Sequence, residues 1–180
     1  GIDLSVGSMI AVTNVTAAVL MKDASTEVTV AVALGVLVLG LALGTVNGLV
    51  VVLSRVPDIV VTLAMLYVWG GVALLILPSQ GGGAPDWLKR LVMGGFLVDE
   101  LPKALIVLAV VVAVIWLPFR HTKLGLALYA VGSDRLAAFR CGVDVGRTKV
   151  ASYALCGLFS GAAGLALTAA TGIGTPTVGA

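Results

Sequence analysis

The chain has 180 residues, of which 59% are hydrophobic and only 11% are Asp, Glu, Lys or Arg, and its mean hydropathy is +1.14. Soluble domains carry roughly 25% charged residues, so this composition excludes a soluble core and predicts an all-α polytopic transmembrane bundle embedded in a lipid bilayer. The net charge of +2 comes with no basic stripe interleaved with aromatics, so no nucleic-acid partner is expected.

The first expected span covers residues 4–21, with Asp3 where an N-cap would stand. At about 100° per residue Ser5, Ser8, Thr13 and Thr16 share a broad face, while Asn14 points elsewhere. These hydroxyls either bond back to the helix and its neighbours, as small polar residues do in bilayers, or line a path for a polar solute. Asn14-Val15-Thr16 spells a glycosylation sequon, but inside an apolar span it has no such role. The turn Lys22–Glu27 leads to a second span, 28–53, long enough at ~1.5 Å per residue to cross a ~30 Å hydrocarbon core. Gly40, Gly44 and Gly48 recur every four residues along it, a spacing that lets a neighbouring helix approach backbone to backbone, and Asn47 stands next to that row.

Pro57 breaks the helix, and a third span, 59–77, carries Thr62 and the pair Gly70-Gly71. The loop 78–103 starts with the turn-rich QGGGAP and continues as DWLKRLVM, which predicts a short amphipathic helix at the interface anchored by Trp87. Pro102 suits the first turn of a fourth span, 104–118, short for a full crossing. A fifth, 150–171, repeats the four-residue spacing at Gly157 and Gly161, and the tail TGIGTPTVGA is too polar and glycine-rich to be a span. The abrupt start at Gly1 predicts a piece of a longer protein, incomplete at both ends.

Between the last two spans lies the segment 119–149, which holds Arg120, Lys123, Arg135, Arg140, Arg147 and Lys149, six of the 11 Lys and Arg residues. Short loops rich in Lys and Arg stay on the cytoplasmic side, so alternation puts the Ser54–Asp58 turn there too and sends Lys22–Glu27 and 78–103 outward. The outer loop carries Lys89, Arg90 and Lys103, and the orientation rests on six cations against three.

Enzyme signatures are missing. Cys141 and Cys156 are too far apart for a CxxC motif, and the single His121 sits at a cationic edge as an interfacial residue, so no metal site is expected. Gly142 to Lys149 superficially suggests a phosphate loop, but it has three residues where four are needed and no Gly-Lys-Ser/Thr order, so this chain binds no ATP of its own. No HExxH, nucleophile elbow or proton-sharing carboxylate pair occurs. The chain does not read as an enzyme.

Four stretches together resemble the ribose-type permease subunits of bacterial ABC sugar importers. They are Gly1 to Ser8 (GIDLSVGS), Arg55-Val56-Pro57 leading to Thr62-Leu63, Thr122 to Gly125 with Tyr129 to Gly132, and Ala137-Ala138 followed by Gly142. The resemblance implies one permease domain over 1–180 in the bacterial inner membrane. It would pair with itself or a relative, receive a monosaccharide from an extracytoplasmic binding protein, and be driven by a cytoplasmic ATPase that holds the ATP and Mg. It places the ATPase-coupling segment on Asp134, Arg135, Ala137, Ala138, Arg140 and Gly142. The small residues would let a short helix seat in a cleft of the ATPase, although two alanines and a glycine are also what a helix and its stop require. An acidic residue common ahead of the alanines is Leu136 or Arg135 here, and an Arg common late in the third span is Gly70.

The residues nominated for the translocation path are Asp3, Ser5, Ser8, Asn47 and Thr62; those nominated for helix packing are Gly40, Gly44, Gly48, Gly157 and Gly161. An alternative assigns the chain to a secondary transporter or channel, with Asp3 and the hydroxyl face of the first span binding a coupling ion, because intramembrane acids are expensive and functional by default.

Overall fold

A computed structural model describes residues 1–92, 95–96, 98–102, 110 and 112–179. Among these, three helices are long and apolar enough to cross a membrane: α2 (Thr26–Ser54), α3 (Asp58–Ile76) and the last helix, Val145–Thr171. The first helix, α1 (Val6–Leu20), has 15 residues. At ~1.5 Å per residue it is about 22 Å long, short of the ~30 Å hydrocarbon core. A short α4 (Asp86–Val92) follows where the amphipathic DWLKRLV was expected, and then a two-stranded antiparallel ribbon, β1 (Gly95–Phe96) and β2 (Val98–Pro102). The first part of the fourth expected span, residues 104–109, and residue 111 lie outside the described residues; its described end is a π-helical turn, Val112–Trp116, running into α5 (Leu117–Phe119).

The cationic segment is helical rather than a plain loop. It holds α6 (Lys123–Ser133) and α7 (Arg135–Arg140), and the final helix α8 (Val145–Thr171) starts five residues ahead of the expected span. Capping explains each start. Thr122 accepts from the Gly125 amide at 3.1 Å, Asp134 from Leu136 and Ala137 at 2.8 and 3.0 Å, and Asp144 from Arg147 at 3.0 Å. Arg147 and Lys149 therefore belong to the first turns of α8.

The bundle is built around two contacts. Along the first, α2 lies on α8 with Gly40, Gly44 and Gly48 against Gly157, Gly161 and the Val150–Tyr153 turn. A methyl on Gly44 would sit 2.9 Å from the Cα and N of Gly157, and one on Gly48 2.8 Å from the Cα of Val150. Carbon atoms pack best at about 3.5–4.0 Å, so only glycine permits this spacing.

The second contact is α1, which is buried nearly all round. Met9, Ala11, Val12 and Val15 pack with Leu43 of α2 and Ala73 of α3, and Ala17 and Met21 pack with Val36 of α2, Leu88 of α4 and Leu165 of α8. The outward faces of α2 and α3 stay apolar, with Leu34, Val38 and Leu75 exposed, as suits helices that face lipid or further helices.

The chain after α8, expected only not to span, packs against the bundle. Gly172 ends α8 in the left-handed region (φ 75°), the conformation glycine adopts at no cost. Gly174 then exchanges backbone hydrogen bonds with Gly81, at 2.7 and 3.1 Å, and the chain runs back along α1.

Candidate functional site

Three of the five nominated path residues fall into one chain of hydrogen bonds. The indole N–H of Trp69 on α3 donates to Asn47 Oδ1 on α2 at 2.9 Å, and Asn47 Nδ2 donates to Ser5 Oγ at 2.6 Å. The Ser5 hydroxyl in turn donates to Asp3 Oδ1 at 2.6 Å, beside the Ser5 amide at 3.0 Å. The remaining two sit at its edge: the Ser8 hydroxyl bonds back to the Ser5 carbonyl at 2.8 Å, and that of Thr62 to the Ile2 carbonyl at 3.3 Å.

Ser5, Asn47 and Thr62 are fully buried, and a buried polar group without a partner is costly, so this seam clamps α1, α2 and α3 in register. The exception is Asp3 Oδ2, which is buried with no partner among the described residues. Trp69 is the member that sequence reasoning missed; an indole in an apolar span reads as bulk until its N–H is seen to have an acceptor.

The residues nominated for coupling form one small unit. Asp134 caps α7 and Ala138 packs inward, while Leu136 and Phe139 point to solvent, 59% and 67% exposed. Gly142 closes the helix at φ 82°. Its amide bonds the Phe139 carbonyl at 2.9 Å, and the Val143 amide bonds that of Ala138 at 3.0 Å; this paired arrangement is the Schellman stop. An added Cβ on Gly142 would meet nothing within 4 Å, so the glycine is required by backbone conformation and not by crowding.

What ties this unit to the bundle is Asp58, in the first turn of α3. It accepts from Lys149 Nζ of α8 at 2.8 Å and lies 3.6 Å from a guanidinium nitrogen of Arg135, the first residue of α7. Asp58 and Lys149 are 12% and 16% exposed, so their pair is shielded, while Arg135 at 58% is largely solvated. A cleft of about 710 Å³ opens beside them, walled by Val51, Arg55, Pro57, Arg135 and Lys149 among others. By contrast, the Arg147–Asp144 pair at 3.1 Å is exposed on both sides and adds little.

At the opposite end Asn14, set aside in the sequence, is fully buried and saturated. Its Nδ2 donates to Thr168 Oγ1 at 2.8 Å and to the Ile173 carbonyl at 3.3 Å, and its Oδ1 accepts from the Thr175 amide at 2.7 Å. It fastens the chain after α8 to the middle of α1. No local sequence signal marks partners more than 150 positions away.

Comparison with known proteins agrees with this architecture. Residues 1–180 match the family model described as branched-chain amino acid transport system / permease component. The ribose import permease protein RbsC of Escherichia coli K12 is 32% identical over 183 residues, covering 99% of this chain and 56% of that protein. The D-allose transport system permease protein AlsC of the same organism is 29% identical, covering 99% and 54%. The autoinducer 2 import system permease protein LsrC of Klebsiella pneumoniae is 39% identical over 138 residues, covering 74% and 39%. No solved structure matches the chain. The chain spans about half the length of the two relatives that it matches over 99% of its own extent. With all of residues 1–180 matched by the family model and three helices long and apolar enough to cross a membrane, the chain belongs to this family of transport-system permease components and is a multi-pass membrane protein.

Proposed function

We propose that this chain is the core of the membrane-spanning subunit of an ATP-driven importer of a simple sugar, held in the bacterial inner membrane. The α7 end faces the cytoplasm, where the cations concentrate. The relatives named for ribose and allose support the sugar class. The partners are a second permease subunit, an extracytoplasmic sugar-binding protein, and a cytoplasmic ATPase that carries ATP and Mg and docks on the 134–142 segment.

The observation that carries this reading is the form of α7. A six-residue helix outside the apolar spans is capped at one end by Asp134 and stopped at the other by Gly142. It presents Leu136 and Phe139 to solvent and is tied through Arg135 to the acid that starts α3. Exposed apolar side chains on a rigid, polar-rimmed element are what a docking surface requires.

The test is ATP-driven uptake of labelled ribose and allose by the full permease reconstituted with its partners. Leu136→Ser with Phe139→Ser removes the apolar contact while leaving caps and burial untouched. Uptake should fall more than tenfold with membrane insertion unchanged; normal uptake by this variant would overturn the docking assignment. Gly142→Asp should likewise uncouple hydrolysis from uptake.

A further inference from the structure

The segment Gly172–Gly179 is irregular backbone that enters the bundle. Gly174 meets the Cβ of Ala18 and the Cα of Val15, with Leu77 beside it; the Thr175 amide bonds Asn14; and Gly179 lies against the backbone of Gly7 and Ser8. From Ala18 to Gly7 is eleven residues of α1, about 16 Å of descent, or roughly half of a ~30 Å hydrocarbon core. The tip of the segment thus arrives at the first turn of α1, beside the Asp3–Ser5–Asn47 seam.

Non-helical backbone at this depth cannot face lipid, because each unpaired amide or carbonyl would cost several kcal/mol there; it is tolerated only when enclosed by protein or lining a water-filled cavity. The two halves of the segment differ on this point. Its first half is enclosed: Gly174 is buried and paired with Gly81, and the Ile173 carbonyl and Thr175 amide are taken by Asn14. Its second half is enclosed only in part: Pro176 is buried, the Val178 amide bonds the Thr175 carbonyl at 3.4 Å, and Gly179 lies against Gly7. Among the described residues the amides of Thr177 and Gly179 and the hydroxyls of Thr175 and Thr177 have no hydrogen-bond partner, and neither hydroxyl is a buried orphan. Thr177 and Val178 are exposed.

We propose that Thr175–Gly179 is a wall of the hydrated translocation path and that its free amides and threonine hydroxyls take a neutral, polyhydroxylated solute. Alternating donors and acceptors without a charged side chain suit a sugar's hydroxyls. Broken backbone at mid-depth is where solutes meet other membrane transporters for the same physical reason. Asn14 is the positioning residue: it touches no solute but holds the first half of the segment against α1. This assignment rests on the sugar-permease reading for the chemistry of the solute, though not for the presence of water.

The experiment uses the full permease with its ATPase and binding protein, with Cys141 and Cys156 changed to alanine. Thr177→Cys is compared with Val38→Cys on the exposed apolar face of α2, and both are challenged during turnover with the charged, impermeant reagent trimethylammonium-ethyl methanethiosulfonate. Thr177→Cys should react at least 100-fold faster than Val38→Cys, and saturating ribose or allose should slow it at least threefold. Equal rates at the two positions, or a fast rate that neither sugar slows while uptake is intact, would overturn the proposal. Uptake on the same samples separates the two readings. Intact sugar uptake with an unreactive Thr177→Cys sinks this inference alone. A fast rate with no sugar uptake by the parent protein removes the sugar and leaves the water-lined wall standing.

Discussion

Replacing Asp58 by leucine perturbs the one place where α3, α8 and α7 are joined by charge. Lys149 loses the carboxylate 2.8 Å from its Nζ while remaining only 16% exposed. Removing one partner of a shielded pair leaves an uncompensated charge, which costs about 3–5 kcal/mol when burial is complete and, with this residual exposure, about 3 kcal/mol. Loss of an acid from the first turn of α3 adds a few tenths more through the helix dipole. The Arg135 contact at 3.6 Å, with its guanidinium 58% exposed, contributes at most about 1 kcal/mol.

In thermal unfolding of the detergent-solubilised protein, Asp58→Leu should therefore lower Tm by roughly 5–10 °C and Arg135→Gln by no more than about 3 °C. The double change Asp58→Leu with Lys149→Met removes both charges and should recover most of the loss, since apolar replacement of a buried pair is close to neutral. A double variant as unstable as the single, or an Arg135→Gln as damaging as Asp58→Leu, would refute this account of the cluster.

Three further outcomes follow from the packing. Gly44→Ala puts a methyl 2.9 Å from Gly157 and should destabilise the bundle by about 1–3 kcal/mol in the same unfolding assay, whereas Gly35→Ala, which meets nothing within 4 Å, should leave Tm unchanged. Asn14→Leu breaks three hydrogen bonds; at about 0.6 kcal/mol each in a membrane the loss is near 2 kcal/mol, and hydrogen exchange at the Thr175 amide should accelerate while that of α2 does not. Gly142→Ala forces a side chain into φ 82° and should cost about 1 kcal/mol, read as faster exchange at the Val143 amide, with Gly142→Asn the milder change.

The long helices and their glycine rows were legible because both are local: hydropathy marks the spans, and a four-residue spacing marks a helix face. The same holds for α7, whose Asp134 cap and Gly142 stop stand eight residues apart. The start of α8 was missed by five residues: Asp144 caps it, but Arg147 and Lys149 read as loop charges and hid it. Only the structure shows that Lys149 is neutralised by Asp58, 91 positions earlier.

What escaped is nonlocal. Asn14 looked misplaced on its helix because its partners are Thr168, Ile173 and Thr175. Its neighbours Thr13 and Thr16 bond back within α1, at 2.9 and 2.7 Å. The hydroxyl face thus divides between helix back-bonding and the Asp3–Ser5–Asn47 seam, and no period of 100° could have separated the two. The tail was judged by composition, which denied it a span and gave no sign that glycines would let it lie against Gly7.

The docking of α7 on an ATPase is the central claim, and cross-linking tests it most directly. Phe139→Cys in the assembled importer, with Cys141 and Cys156 replaced by alanine, should form a cross-link to the ATPase subunit through a short bifunctional reagent. Glu27→Cys, also exposed but at the far end of α2, should form none. A cross-link to the ATPase from Glu27→Cys, with none from Phe139→Cys, would contradict both the orientation and the coupling role assigned to this helix.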